Sequence, residues 1–294
     1  SEETSAEATE LVNEITQEGI VLAQNDDNIL PVASGSKLNV FGWASTSPCY
    51  GGTGSGALND AYPVTDLLTG LHDAGIETND ELSKFYTDYC STRPTVGMSK
   101  QDWTLPEPNV SLYTDEMMEN AKAYSDTAMV VITRVGGEVN PSGRTADTYV
   151  ADLTASPWWN NFGDFKYTNA SEFNSNASGF DPEGTTPSFV NYVEGIYVGY
   201  KFYETAADEG LIDYDKEVVY PFGYGLSYTT FTQKMSDITS DGSSLKFSVT
   251  VTNTGSAAGK DVVEIYNDPP YTNGGIEKAS ANLLDFAKTS ELAP

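Results

Sequence analysis

The hydrophobic period of this chain changes once along its length, and that change limits the folds open to it. Up to about residue 134, apolar residues come either as helical stripes or as short unbroken runs. Ala8, Leu11, Val12 and Ile15 follow the capping-box pattern Thr4-x-x-Glu7, which predicts a helix over residues 5–18. Val64, Leu67, Leu68 and Leu71 repeat at helical spacing, with Pro63 near the first helical position and Gly75 just past the end. Residues 79–91 and the stripe Met117, Ala121, Tyr124 predict two further helices. Residues 37–43 and 128–134 read as buried strands, the second being the clearest in the chain. Residues 20–25 read as a short strand or a helix end, followed by a turn at Asp26-Asp27-Asn28. Helices alternating with apolar strands predict a parallel α/β layer. From Gln233 the period is two. Leu245, Phe247, Val249 and Val251 alternate with polar residues, Asn253-Thr254-Gly255 turns the chain, and residues 262–266 form the next strand. Short strands separated by turns predict a β-sandwich.

The α/β pattern stops early. Prolines 94, 106 and 108 make residues 91–109 a loop, and beyond Gly136-Gly137-Glu138 the chain is irregular, aromatic and Asn-rich to about Gly184. A doubly wound sheet needs two βαβαβ halves, and this sequence supplies little more than one. The expected sheet is therefore a half-sheet, with the rest missing or supplied by another segment or chain.

Between the strand at 37–43 and the helix after it lies Tyr50-Gly51-Gly52-Thr53-Gly54-Ser55-Gly56. Strand, glycine loop and helix together let backbone N–H groups approach a ligand closely. The loop matches neither the dinucleotide pattern G-x-G-x-x-G nor a phosphate loop ending in Gly-Lys-Ser/Thr, so a nucleotide-binding reading is weak. A turn that merely reverses the chain remains the alternative.

The 15 Lys+Arg stand against 43 Asp+Glu, a formal net charge of −28. Phosphate backbones and anionic bilayers demand a basic face, so neither nucleic acid nor a membrane surface is an expected partner. No run of 18 apolar residues is present. Cys49 and Cys90 are too few for a cysteine zinc site or a disulfide framework, and no metal or cofactor is expected. His72, the single histidine, lies beside an apolar helical stripe with no G-x-S-x-G elbow in the sequence, and reads as structural. The chain opens on Ser1 without Met and without a visible leader; its localisation stays open, with a leaning to secretion.

Five blocks, taken together and in order, resemble glycoside hydrolase family 3, the β-glucosidase group. They are residues 18–25 (Glu-Gly-Ile-Val-Leu-Ala-Gln-Asn) with Leu30-Pro31; the Gly-x-Gly-Ser-Gly loop; Asn140-Pro141-Ser142-Gly143-Arg144; residues 194–200 (Glu-Gly-Ile-Tyr-Val-Gly-Tyr); and residues 220–231 (Tyr-Pro-Phe-Gly-Tyr-Gly-Leu-Ser-Tyr-Thr-Thr-Phe). The resemblance implies an incomplete α/β-sandwich domain over residues 1–230 and a truncated fibronectin type III-like domain over 231–294. It also implies the permuted arrangement, in which the catalytic barrel follows these two domains.

Family members are retaining glycosidases, with two carboxylates about 5–5.5 Å apart, one nucleophile and one acid/base. The resemblance places the nucleophilic Asp on a (β/α)8 barrel, which this chain does not contain. Asp102-Trp103 is the only look-alike dipeptide, and its loop setting is wrong for a residue at a barrel strand's end. Glu138, after Arg134-Val135-Gly136-Gly137, fits the family's acid/base stretch, yet it also opens a Gly-Glu-Val-Asn-Pro-Ser-Gly-Arg segment that lies further downstream in the family. Acid/base remnant and ordinary loop carboxylate both remain open for it. By the same resemblance Ser55, with Thr53 and Gly54 supplying backbone, would bind a sugar hydroxyl; the alternative is a turn serine capping its own backbone. Trp158, Trp159, Phe162 and Phe165 are candidates for stacking on sugars or for packing, and the Asn-x-Ser sites at Asn109, Asn169 and Asn176 read as composition. The expected partners are a β-glucoside or oligosaccharide and a separate barrel domain or chain. Two functions follow: part of a β-glucosidase-like enzyme, inactive as a lone chain, or a non-catalytic carbohydrate-binding or interaction protein built from degenerate family domains.

Overall fold

The computed structural model describes residues 2–48, 64–92, 107–133 and 194–294 of the 294. The described residues fall into two compact units, one of residues 30–48, 64–92 and 107–133, the other of residues 2–29 and 194–294.

The first unit is an α/β layer. Its strands are β1 (Lys37–Phe41), β2 (Glu77–Thr78) and β3 (Ala128–Val130), in the order β2-β1-β3 and all parallel. β1 is central. Lys37 and Leu38 pair with Glu77 and Thr78, while Asn39, Val40 and Phe41 pair with Ala128, Met129 and Val130. Leu38 and Val40 are buried on one face, with Ile76 and with Leu67, Leu68 and Leu71 of α2 (Leu67–Asp73). On the other side, Trp43, Ala44 and Tyr86 are packed by Phe41, Phe85, Tyr89 and Tyr113, and Leu82 meets Met117 and Ala121. These residues bring in α3 (Asp80–Ser91) and α4 (Asp115–Tyr124), so helices cover β1 on both faces, as a parallel sheet requires. Each helix starts at a local cap: Asp66 accepts from the Thr69 N–H, Asn79 from Glu81, and Thr114 from Met117.

Two expectations need correction here. α2 starts at Leu67, behind the Asp66 cap, so Val64 lies outside it and half-exposed; a capping carboxylate sets the start where helical spacing alone suggested an earlier one. The strand expected over 128–134 is shorter and is not buried, with Val130 at 66% and Ile132 at 77% exposure. Its apolar run suits a central strand, and among the described residues β1 is its only neighbour, so among them β3 is an edge.

The second unit begins with α1 (Glu2–Gly19), the helix expected over 5–18, but it starts at Glu2, so Thr4 lies inside the helix and the capping box read at Thr4-x-x-Glu7 does not set its start. Leu22 forms an antiparallel bridge with Leu226, and Asp26–Asn28 is a tight turn with positive φ at Asp27 and Asn28. Tyr203 of α5 (Tyr200–Asp208) is buried with Val218, just after α6 (Tyr214–Glu217), and Ile212 packs against them. The rest is antiparallel. β4 (Phe231–Met235) pairs with β7 (Val249–Asn253), β5 (Thr239–Ser240) with β6 (Leu245–Lys246), and β8 (Val262–Asn267) with β9 (Asn282–Lys288). The chain is thus an α/β fragment followed by a β-sandwich-like region. Glu18 at the end of α1 pairs with both Lys260 and Lys288, tying the helix to the strands.

Candidate functional site

Thr53, Gly54, Ser55 and Glu138 lie outside the described residues, as do Asp102, Cys49, the four aromatics at 158–165, Asn169 and Asn176. What the structure gives is the scaffold from which the two candidate segments depart. β1 and β3 are adjacent and parallel, so their C-terminal ends lie side by side. The Val131 N–H donates to the Phe41 carbonyl at 2.8 Å, carrying the pairing past the last residue of each strand. The glycine loop follows β1 in sequence, and Glu138 follows β3. Ligands of open α/β sheets bind at this C-terminal edge.

Gly42 fixes how the chain leaves β1. It has φ +99°, and a Cβ built on it would come within 2.2 Å of the Val131 carbonyl oxygen. Only glycine allows both that conformation and that approach. Trp43–Ser45 then forms a buried 3-10 turn, its first N–H bonded to a Glu107 carboxylate oxygen at 3.2 Å.

Beneath β1 lies a buried amide network that sequence reading missed. Asn39, 3% exposed, donates to the Ala121 and Ser125 carbonyls at 2.8 Å each. Asn79 donates to the Asn39 and Asn120 side-chain oxygens at 2.9 and 3.0 Å. Asn39 lies between Leu38 and Val40 in an otherwise apolar run, and a polar residue so placed is the one signal the sequence held.

A cavity of about 750 Å³ opens beside β2, lined by His72, Thr78, Asn79, Asn120 and Tyr124 among others. Its polar groups hold the unit together: His72 Nε2 lies 2.9 Å from Thr78 Oγ1, and Asn79 belongs to the network above. His72 thus joins α2 to β2, in keeping with its structural reading. Tyr86 is fully buried with its hydroxyl 2.9 Å from that of Tyr113, and burial first, then this neighbour, pushes its phenol well above the usual range. Cys90 is a free, half-buried thiol that donates to the Trp43 carbonyl. Asn109 is exposed and caps the turn Val110–Leu112 by accepting from the Ser111 N–H. Among the described residues no group of three or more His, Cys, Asp or Glu is placed to hold a metal, and no helix is long and apolar enough to cross a membrane.

No family model matches the chain. Individual proteins do. It is 28% identical to a β-glucosidase of Ruminococcus albus over 350 residues, covering 98% of this chain and 35% of that protein. With β-glucosidase A of Butyrivibrio fibrisolvens the identity is again 28%, over 400 residues covering 97% of this chain and 44% of the other. Among solved structures, β-glucosidase 3B of Thermotoga neapolitana in complex with α-D-glucose matches with TM-score 0.68 at 26% identity, covering 98% of this chain and 47% of that one. The chain is a homologue of the family 3 β-glucosidases. A β-glucosidase of Paenibacillus barengoltzii matches comparably, with TM-score 0.67 at 28% identity over 93% of this chain. The chain spans less than half the length of each of these relatives. The first two matched stretches, 350 and 400 residues, are longer than the chain's own 294, so those family 3 proteins carry internal segments with no counterpart here.

Proposed function

We propose that this chain is the accessory part of a retaining β-glucosidase-like glycoside hydrolase. In this reading residues 1–230 form the incomplete α/β-sandwich domain and 231–294 the truncated fibronectin type III-like domain. Ser55, with the backbone of Thr53 and Gly54, binds a glucosyl hydroxyl. Glu138 is the acid/base that protonates the leaving oxygen and later activates water. The nucleophilic Asp belongs to the barrel of the complete relatives, outside this chain. The observation that carries the reading is that β1 and β3, the strands preceding the two candidate segments in sequence, end side by side. A loop serine and a loop carboxylate leaving adjacent parallel strands can converge on one sugar at the sheet's C-terminal edge.

A retaining site needs both carboxylates: an acid without a nucleophile forms no glycosyl-enzyme intermediate. The purified chain is therefore expected to release no aryl aglycone from an aryl β-glucoside, while glucose binding, followed by calorimetric titration, weakens at least tenfold in Ser55→Ala and Glu138→Gln. Turnover by the lone chain overturns this reading. One observation favours a second reading, a non-catalytic sugar-binding protein: the first two relatives' matched stretches are longer than this chain and so contain residues it lacks. Glucose or cellobiose binding that survives both substitutions supports that alternative.

A further inference from the structure

The sequence holds one Asn-Gly pair, Asn273-Gly274, and the structure places it in the loop that joins β8 to β9. Residues 271–278 are all exposed. Asn273 and Gly274 are the two central residues of a turn closed by the bond from the Gly275 N–H to the Thr272 carbonyl at 2.8 Å. Gly274 has φ +81°. Among the described residues, neither the Asn273 side chain nor the Gly274 N–H has a hydrogen-bond partner. Below this tip the loop is anchored. Lys278 Nζ donates to the Pro270 carbonyl at 2.7 Å, Ala279 is buried, and the Ser280 N–H donates to Thr205 Oγ1 at 3.0 Å.

An asparagine side chain can close a five-membered ring with the backbone nitrogen of the next residue. Glycine offers that nitrogen with no Cβ in the way and with the backbone freedom to turn towards it. The same unit supplies a contrast. Asp241-Gly242 has the atoms for the same ring, but Asp241 Oδ1 accepts from the Ser243 and Ser244 N–H groups at 3.0 and 2.8 Å, and the hydroxyls of both serines donate to its carboxylate at 2.8 Å each. The bonds from Ser243 and Ser244 hold this carboxyl well below its ordinary range, so it is ionised, fixed in place and a poor electrophile. Asn39, Asn79 and Asn253 also differ from Asn273: each amide is held by hydrogen bonds, and each is followed by a residue with a side chain.

We propose that Asn273 is a self-modification site, converted through a succinimide to isoaspartate and aspartate in the folded chain without an enzyme. The Gly274 nitrogen gives up its proton to solvent base and attacks Asn273 Cγ. The N–Cγ bond forms, the Cγ–Nδ2 bond breaks, and the amide nitrogen takes a proton from water and leaves as ammonia. Water then opens the ring. Breaking the new N–Cγ bond leaves aspartate, whereas breaking the bond from the nitrogen to the Asn273 backbone carbonyl carbon leaves isoaspartate, with the main chain routed through the former side chain. Either product adds one negative charge to a loop that already carries Asp268 and Glu277. Ring closure needs the turn to open, and an exposed turn closed by one backbone bond opens locally, without unfolding the strands on either side. The anchors at Lys278, Ala279 and Ser280 confine the change to the tip. The inference stands apart from the proposed function.

The test holds the purified 294-residue chain in mildly alkaline buffer, folded and in urea, and follows its tryptic peptides by mass spectrometry. Isoaspartate is counted by methyl transfer from S-adenosylmethionine with an isoaspartyl methyltransferase. In the folded chain Asn273 is expected to lose its amide at least tenfold faster than any other asparagine of the described residues, and faster as pH rises. Isoaspartate should exceed aspartate, because direct hydrolysis of the amide gives aspartate alone. The folded rate should lie within about tenfold of the rate in urea, since the fold does not shield the turn. Asp241 should form isoaspartate in urea and none in the folded chain. Asn273→Gln, which would need a six-membered ring, should remove the methyl acceptor from the folded chain at an unchanged melting temperature. A folded rate at Asn273 more than a hundredfold below the rate in urea, aspartate without isoaspartate, or an equal rate at another described asparagine overturns the proposal.

Discussion

Replacing Gly42 by Ala tests whether the exit from β1 is set by backbone geometry. Gly42 sits at φ +99° and ψ 134°, a region that L residues rarely enter. Holding alanine there costs about 1–3 kcal/mol. The new methyl carbon would also lie 2.2 Å from the Val131 carbonyl oxygen, a backbone atom that cannot swing aside. Relief requires β3 to move off β1, at the expense of the 2.8 Å bond from Val131 N–H to Phe41 O. Such a bond contributes about 0.5–1.5 kcal/mol net. Reduced freedom in the unfolded chain returns about 0.4–1 kcal/mol. The expected loss is about 2–3 kcal/mol, or roughly 5–10 °C in the melting temperature of this unit. Gly35 provides the control: it has φ +85°, but its Cβ position has nothing within 4 Å. Gly35→Ala bears the strain alone and should lose about 1 kcal/mol. Urea unfolding followed by tryptophan fluorescence measures both, with Trp43 one residue from the substitution and buried. If Gly42→Ala costs no more than Gly35→Ala, the close approach of β3 to Gly42 is wrong, and with it the adjacency of the two strand ends.

Asn39→Ala leaves the Ala121 and Ser125 carbonyls and the Asn79 amide without their shared partner, and should lower stability by about 2–4 kcal/mol in a thermal melt; a loss under about 0.5 kcal/mol would show the network to be dispensable. Glu18 is held below its ordinary value of 4.5 by its hydrogen bonds to Lys260 and Lys288. Its folded value is thus the lower one, so its stabilising contribution is full above the unfolded value and disappears as pH falls through the folded value. Glu18→Gln should flatten the acid limb of the stability profile of the second unit below the residue's ordinary value of 4.5 and change little else; an unaltered limb would mean the ion triad does not form in solution.

Much of the first unit was legible because its signals are local. The apolar run of β1, the stripe of α4 and the Gly75 stop each depend on residues within one or two turns of one another. The site was legible in a different way. Thr53, Gly54, Ser55 and Glu138 came from the order and wording of the family 3 blocks, and the structure speaks to the strand ends that precede them. The amide network was not legible, since an asparagine inside a strand announces only that a partner must exist, not that it lies more than 80 residues away on α4.

By itself, the sequence determined that an α/β layer is followed by an all-β region and that the chain resembles family 3. Only tertiary structure decided the exposure of β3, because a run such as Met129-Val130-Val131-Ile132 is equally apolar beside one strand or between two. Only tertiary structure revealed β9, whose Asn282–Lys288 sequence has no clean alternation and is held by pairing with β8. The contact between Leu22 and Leu226 has the same origin. Periodicity reports which face of an element avoids water, whereas the neighbour that excludes the water is chosen by packing between residues distant in the chain.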